Sequence, residues 1–103
     1  MVAYRDDGDS GKGKAVVGTV DTSDNSISFG TPVQFEAGDT EYVSAAFDAN
    51  SGKIVIAFKD NGDTYGKAIV GTVSGTGISF GSAATFESAT SNNINVVYDS
   101  TNN

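Results

Sequence analysis

The stretch "KAVVGTV" at Lys14–Val20 returns as "KAIVGTV" at Lys67–Val73, with Ile69 in place of Val16 as the only change. Its density of β-branched residues reads as a strand. Working outward, Val2 aligns with Ile56 at an offset of 54, Lys14 with Lys67 at 53, and Ile27 with Ile78 at 51. The offset steps only where Gly, Asp and Ser cluster, and length changes belong in loops. The chain therefore reads as one unit written twice, about 2–52 and about 56–103, within a single domain over 1–103.

Each unit is expected to hold four strands. "KIVIAFKD" (53–60) is apolar, β-branched and stopped by the turn sequence "DNGD". "GKAIVGTV" (66–73) follows and ends at the short Gly-bearing link "SGTG". "ISFGSAATFE" (78–87) carries a mid-strand Gly that predicts a bulge or bend. "INVVYDS" (94–100) completes the unit, a part taken in the first unit by "EYVSAAFD" (41–48). No stretch shows a helical period.

Four antiparallel strands every 51 to 54 residues match the blade of a β-propeller, whose repeats run to roughly 40 to 50 residues. The phrase "ISFGTPVQF" (27–35) resembles the outer-strand end of blades in sialidase-like and phage-like propellers. The link before it lacks the full Asp-containing turn signature of that family. The fold expectation is thus all-β, a propeller of two four-stranded antiparallel blades per chain. With strands lettered A to D from the channel outwards, A is 41–48 and 93–99, B is 1–6 and 53–60. Strand C is 14–20 and 66–73, and D is 26–36 and 77–87. The chain order is B-C-D-A-B-C-D-A.

This order leaves a first B without an A and a last A without a B. Such edges invite pairing with another chain, and each end blade keeps a bare apolar face. A head-to-tail contact that closes makes a ring. Homo-oligomerisation is the expectation, a trimer giving six blades first and a tetramer giving eight second. The plan is similar to the small trimeric fucose-binding lectins, whose chains also carry two blades. Those lectins have Trp-rich sugar sites, and with no Trp here their binding residues do not carry over.

Composition narrows the function. A net charge of −7 argues against nucleic acid and anionic membranes, which need clustered Lys and Arg. No apolar run approaches the roughly 20 residues that span a bilayer, and the N-terminus lacks a signal-peptide pattern, so a soluble chain is expected, its compartment open. No His and no Cys remove the commonest general base, nucleophile and soft metal ligands. A sialidase-like site would resemble three Arg with a Tyr nucleophile, whereas the chain has Arg5 alone. No enzymatic activity and no cofactor are expected.

The densest repeated polar signal is the B–C loop, "YRDDGDSGKGK" and "FKDNGDTYGK". Each copy holds a base (Arg5 or Lys59), two Asp (Asp6 and Asp9, or Asp60 and Asp63) and a Lys (Lys14 or Lys67). The same propeller face would carry nine of the 13 acids and five of the six bases. With Tyr42 and Tyr65 as stacking faces, these residues form the candidate ligand site, suited to a glycan. The plainer alternative is that Asp and Gly only make the turn while Asp6 and Lys14 pair across it. Asp6, Asp7 and Asp9 also suggest Ca²⁺, but the ligand alternation and closing Glu of an EF-hand are missing, so no metal site is expected. Two functions follow: a self-assembling binding module, with lectin activity within it, or a structural piece of a longer repeat array without a ligand of its own.

Overall fold

The computed structural model describes residues 1–102. The chain is all-β, and the described residues form nine strands and one turn of 3-10 helix at Asp7–Asp9. The strands are β1 (Val2–Asp6), β2 (Lys12–Val16), β3 (Gly18–Asp21), β4 (Ser26–Phe29), β5 (Val33–Asp48), β6 (Lys53–Asp60), β7 (Tyr65–Ser74), β8 (Gly77–Phe80) and β9 (Ala84–Thr90). One strongly curled, half-barrel sheet runs β1-β2-β5-β6-β7-β8, with β9 also on β7, and β3 pairs β4 separately. No helix among the described residues is long and apolar enough to cross a membrane.

The repeated sequence makes repeated ladders. Val2↔Val16 and Ala3↔Ala15 in the first unit correspond to Ile56↔Ile69 and Ala57↔Ala68 in the second. Gly13↔Glu36 and Ala15↔Val33 correspond to Gly66↔Glu87 and Ala68↔Ala84. Gly18↔Phe29 and Val20↔Ile27 correspond to Gly71↔Phe80 and Val73↔Ile78. Register is set by which side chains must face the core, so like sequences adopt like registers.

Four expected strands differ. The D strands break at Gly30–Pro32 and at 81–83, so each is two pieces rather than 26–36 and 77–87. At each break the glycine N–H bonds back to strand C, Gly30 to the Val17 carbonyl and Gly81 to that of Val70. The first C strand is itself interrupted at Val17, between β2 and β3. Finally, 93–99 forms no ladder. A strand exists only with a partner, and among the described residues no B strand lies beside this segment. It rests instead on β5, where Ser44 Oγ donates to Asn95 Oδ1 at 2.7 Å and accepts from the Val96 N–H at 3.2 Å.

Strand A at 41–48 does form, but as the second half of β5. The first half of β5 pairs β2 and the second half pairs β6, with a bulge between Glu41 and Ser44. Tyr42 takes a left-handed φ of 51° at the bulge, and its counterpart Asn93 takes 54°. One strand therefore carries the chain from the first unit into the second.

The core lies between the units. Ala15 and Phe35, with Met1 and Ala3 beside them, meet Ile54, Ile56, Phe58 and Ile69, with Val43 and Phe80 packed against the cluster. Phe35 packs against Phe58 with the rings tilted and their centroids 5.2 Å apart, and meets Phe80 edge-on at 5.9 Å. Alternation places Ile54, Ile56 and Phe58 on one face of β6, which is why three apolar residues at period two reach the same cluster.

Candidate functional site

The two B–C loops fold alike. Asp6 Oδ1 accepts from the Gly8 N–H at 3.1 Å, and Asp60 Oδ1 accepts from the Gly62 N–H at 2.8 Å. The chain then turns through left-handed Ser10 (φ 59°) and Thr64 (φ 68°). Both turns close on the Asp carbonyl, which accepts from Gly11 in the first loop and Thr64 in the second.

A lysine from the next strand clamps each loop. Lys14 Nζ donates to Asp6 Oδ2 at 2.8 Å and lies 2.8 Å from Asp9 Oδ2. Lys67 Nζ donates to Asp60 Oδ2 at 2.5 Å and lies 2.9 Å from Asp63 Oδ2. The hydrogen bond from Lys14 holds the Asp6 carboxyl below the usual carboxylate range, and Lys14 with Lys12 does the same for Asp9. Lys67 lowers Asp63. Both lysines are in turn pushed up by their aspartates. Six of the ten candidate residues thus fall into two equivalent clusters, each an ammonium held between two carboxylates.

The other candidates go elsewhere. Arg5 does not join its own Asp6 and Asp9; it pairs with Asp7 and, through Nε and Nη2, with Asp39 Oδ1 at 2.9 Å. Lys59 reaches Glu41 Oε2 at 3.4 Å and Asn92 Oδ1 at 3.3 Å, with its Nζ 5.8 Å from the Tyr42 ring centroid. Tyr42 is exposed, at 42 %. Tyr65 begins β7, where its N–H donates to Asp63 Oδ1 at 2.9 Å.

Asp39 matters more than its sequence suggests. Besides Arg5, it accepts from Asn61 Nδ2 at 3.0 Å, and its carbonyl accepts from the Asn61 N–H. It joins β1, β5 and the second loop, and the bonds from Asn61 and Arg5 hold its carboxyl below the usual range. Its repeat counterpart is Thr90, so a search for polar residues common to both units passes it over. Lys12, which donates to Asp9 Oδ1 at 2.9 Å, is missed for the same reason: its counterpart is Tyr65.

A separate cleft of about 240 Å³ lies between β5–β6 and the segment 96–99, lined by Ala46, Val55, Val97 and Tyr98 among others. Its lining is mostly apolar, unlike the charged loops.

Comparison with known protein families, curated proteins and solved structures returns no match.

Proposed function

We propose that the chain is a non-enzymatic binding module, a β-propeller closed by copies of itself, whose repeated charged loops hold a carbohydrate. The observation that carries this reading is the recurrence of one cluster, Asp6–Asp9–Lys14 and Asp60–Asp63–Lys67, at equivalent positions. Each cluster sets one ammonium between two carboxylates, a net charge of −1 that repels an anionic ligand. Sugar hydroxyls suit such a site, donating to the spare carboxylate lone pairs. The exposed ring of Tyr42 offers an apolar face for a sugar ring. Weak sites repeated around an assembly gain avidity without any new contact.

Light scattering coupled to size exclusion tests the assembly, and a glycan array tests the ligand. A mass near three chains of 10.5 kDa supports six blades. Array signal lost on Asp60→Ala or Tyr65→Ala supports the lectin reading, and a blank array overturns it.

A second reading, a piece of a longer repeat array without its own ligand, is favoured by one observation. Asp99 accepts from the Thr101 and Asn102 N–H groups just as Asp48 accepts from Asn50 and Ser51. The turn that precedes a B strand is formed a second time. A soluble but polydisperse population would support this reading over a closed ring.

A further inference from the structure

The contact between the two units has two unfilled copies on the surface of the molecule. The first unit contributes Met1, Ala3, Ala15 and Phe35 to the core, and their counterparts one repeat later are Val55, Ala57, Ala68 and Phe86. The second unit contributes Ile56, Phe58, Ile69 and Phe80, and their counterparts one repeat earlier are Val2, Tyr4, Val16 and Phe29. Val16 and Ala57 stay buried in both sets, but exposure separates the large side chains at the rims of the two faces. Phe35 is 8 % exposed and Phe86 57 %; Ile56 is fully buried while Val2 is 48 % exposed, and Phe29 is 54 % exposed. Apolar side chains of this size standing free on two opposite faces mark a contact surface.

We infer that these faces are the two halves of one intermolecular contact: the Phe86 face of one copy covers the Val2–Tyr4–Phe29 face of a second copy. The inference rests on the self-assembly proposed above and supplies its partner and register. The internal contact is the template. There Ser44↔Ala57 and Ala45↔Ile56 pair strand A with strand B. Carried forward one repeat, Asn95 of one copy pairs Ala3 of the next, and Val96 pairs Val2. Among the described residues, the segment 94–99 has no ladder partner and β1 pairs only β2, so both edges are open to this ladder. The apolar cleft beside Val55, Val96 and Val97 lies where the incoming strand would run.

The charges fit the same register. Asn61 binds Asp39 and Lys59 reaches Glu41 across the internal contact. One repeat on, Asp7 and Arg5 of the second copy would face Thr90 and Asn92, both neutral hydrogen-bonding residues. The nearest like charge is Lys59 of the first copy, which shares Asn92, while Arg5 keeps its own Asp7 and Asp39 beside it. The molecule's dimensions agree with open faces. Its radius of gyration is 14.1 Å, against about 13 Å for a compact chain of this length. Its accessible surface is 5899 Å², against about 5,400 Å² for a folded monomer of this mass.

The chain has no cysteine, which makes the test clean. Two double variants, Val2→Cys with Val96→Cys and Ala3→Cys with Asn95→Cys, cover consecutive ladder positions. Antiparallel pairs alternate between hydrogen-bonded and non-hydrogen-bonded, so the two variants sample both geometries. Mild oxidation should convert most of the chain of at least one variant into covalent oligomers that a reductant dissolves. Phe86→Asp in the wild-type background should shift the light-scattering mass down to 10.5 kDa with the circular dichroism of the strands retained. An oligomer by light scattering that neither pair cross-links overturns this register and leaves self-assembly standing. A wild-type chain that stays a monomer overturns both. A disulfide formed within one chain also overturns the register.

Discussion

The ring of Phe35 fills the space where a side chain at Gly13 would begin: a Cβ built there lies 2.5 Å from Phe35 Cε2. Phe35 is held by Phe58 and Phe80 and has nowhere to go. Gly13→Ala should therefore destabilise the fold by about 1–3 kcal/mol, the usual cost of overpacking. Gly66 has the same contact with Phe86, also at 2.5 Å, but that ring is exposed and free to swing aside. Urea unfolding of the Gly66→Ala chain under monomeric conditions should show a smaller loss. Equal losses would mean that Phe86 is also fixed in place.

Phe58 is fully buried and couples the two units through Phe35. Phe58→Ala should cost about 3–5 kcal/mol, a large share of the roughly 5–15 kcal/mol of a typical domain. Because the core lies between the units, the loss should appear as a single cooperative transition at lower denaturant. Two separate transitions would show that each unit folds without the other.

The pH dependence follows from the clamped loops. Asp6, Asp9, Asp39 and Asp63 have carboxyls lowered by their partners. Lowered carboxyls contribute stability that is present above the unfolded value of about 3.9 and is lost as pH falls through the folded values. Lys14 and Lys67 are raised. Raised lysines contribute stability that is present below the unfolded value of about 10.4 and is lost only at higher pH. Denaturant midpoints should be flat from about pH 5 to 9 and fall on the acid side below about pH 4. Lys14→Met with Lys67→Met should shrink that acid-side fall, because the carboxyls then lose the partners that lower them.

Much of this was legible in the sequence because the repeat tests itself. Any residue that recurs at an offset of 51 to 54 is held by the unit rather than by chance, and the ladders and loop turns obey that rule. The pairing of Asp6 with Lys14 across its turn was readable from spacing as a diagonal one: the register sets Lys12 opposite Asp6 and Lys14 opposite Tyr4, and a lysine is long enough to reach the diagonal neighbour. What the sequence hid lies where the two units differ. Asp39 and Asn61 join one unit to the other, and neither has a like counterpart. The segment 93–99 has the composition of a strand, but composition does not supply a neighbour. The chain order already leaves this last A without a B, and the absent ladder among the described residues follows from that order rather than from composition.

Tyr42 carries a backbone strain that offers a test of its place in the proposed ligand site. A bulky residue at φ 51° is an outlier, and left-handed backbone costs roughly 1–2 kcal/mol for residues other than Gly, Asn and Asp. The repeat itself shows the relaxed solution, because Asn93 occupies the equivalent position at φ 54°. Tyr42→Asn gives up the contact with Lys59, worth about 0.5–1 kcal/mol at an exposed site. The balance favours the variant by about 0–1.5 kcal/mol. Strain retained at an exposed aromatic points to a use for the ring. Thermal melts should show the Tyr42→Asn chain at least as stable as the wild type, while its glycan-array signal falls. A variant that binds as well as the wild type would remove Tyr42 from the ligand site, and one that melts clearly lower would show that the ring supports the fold.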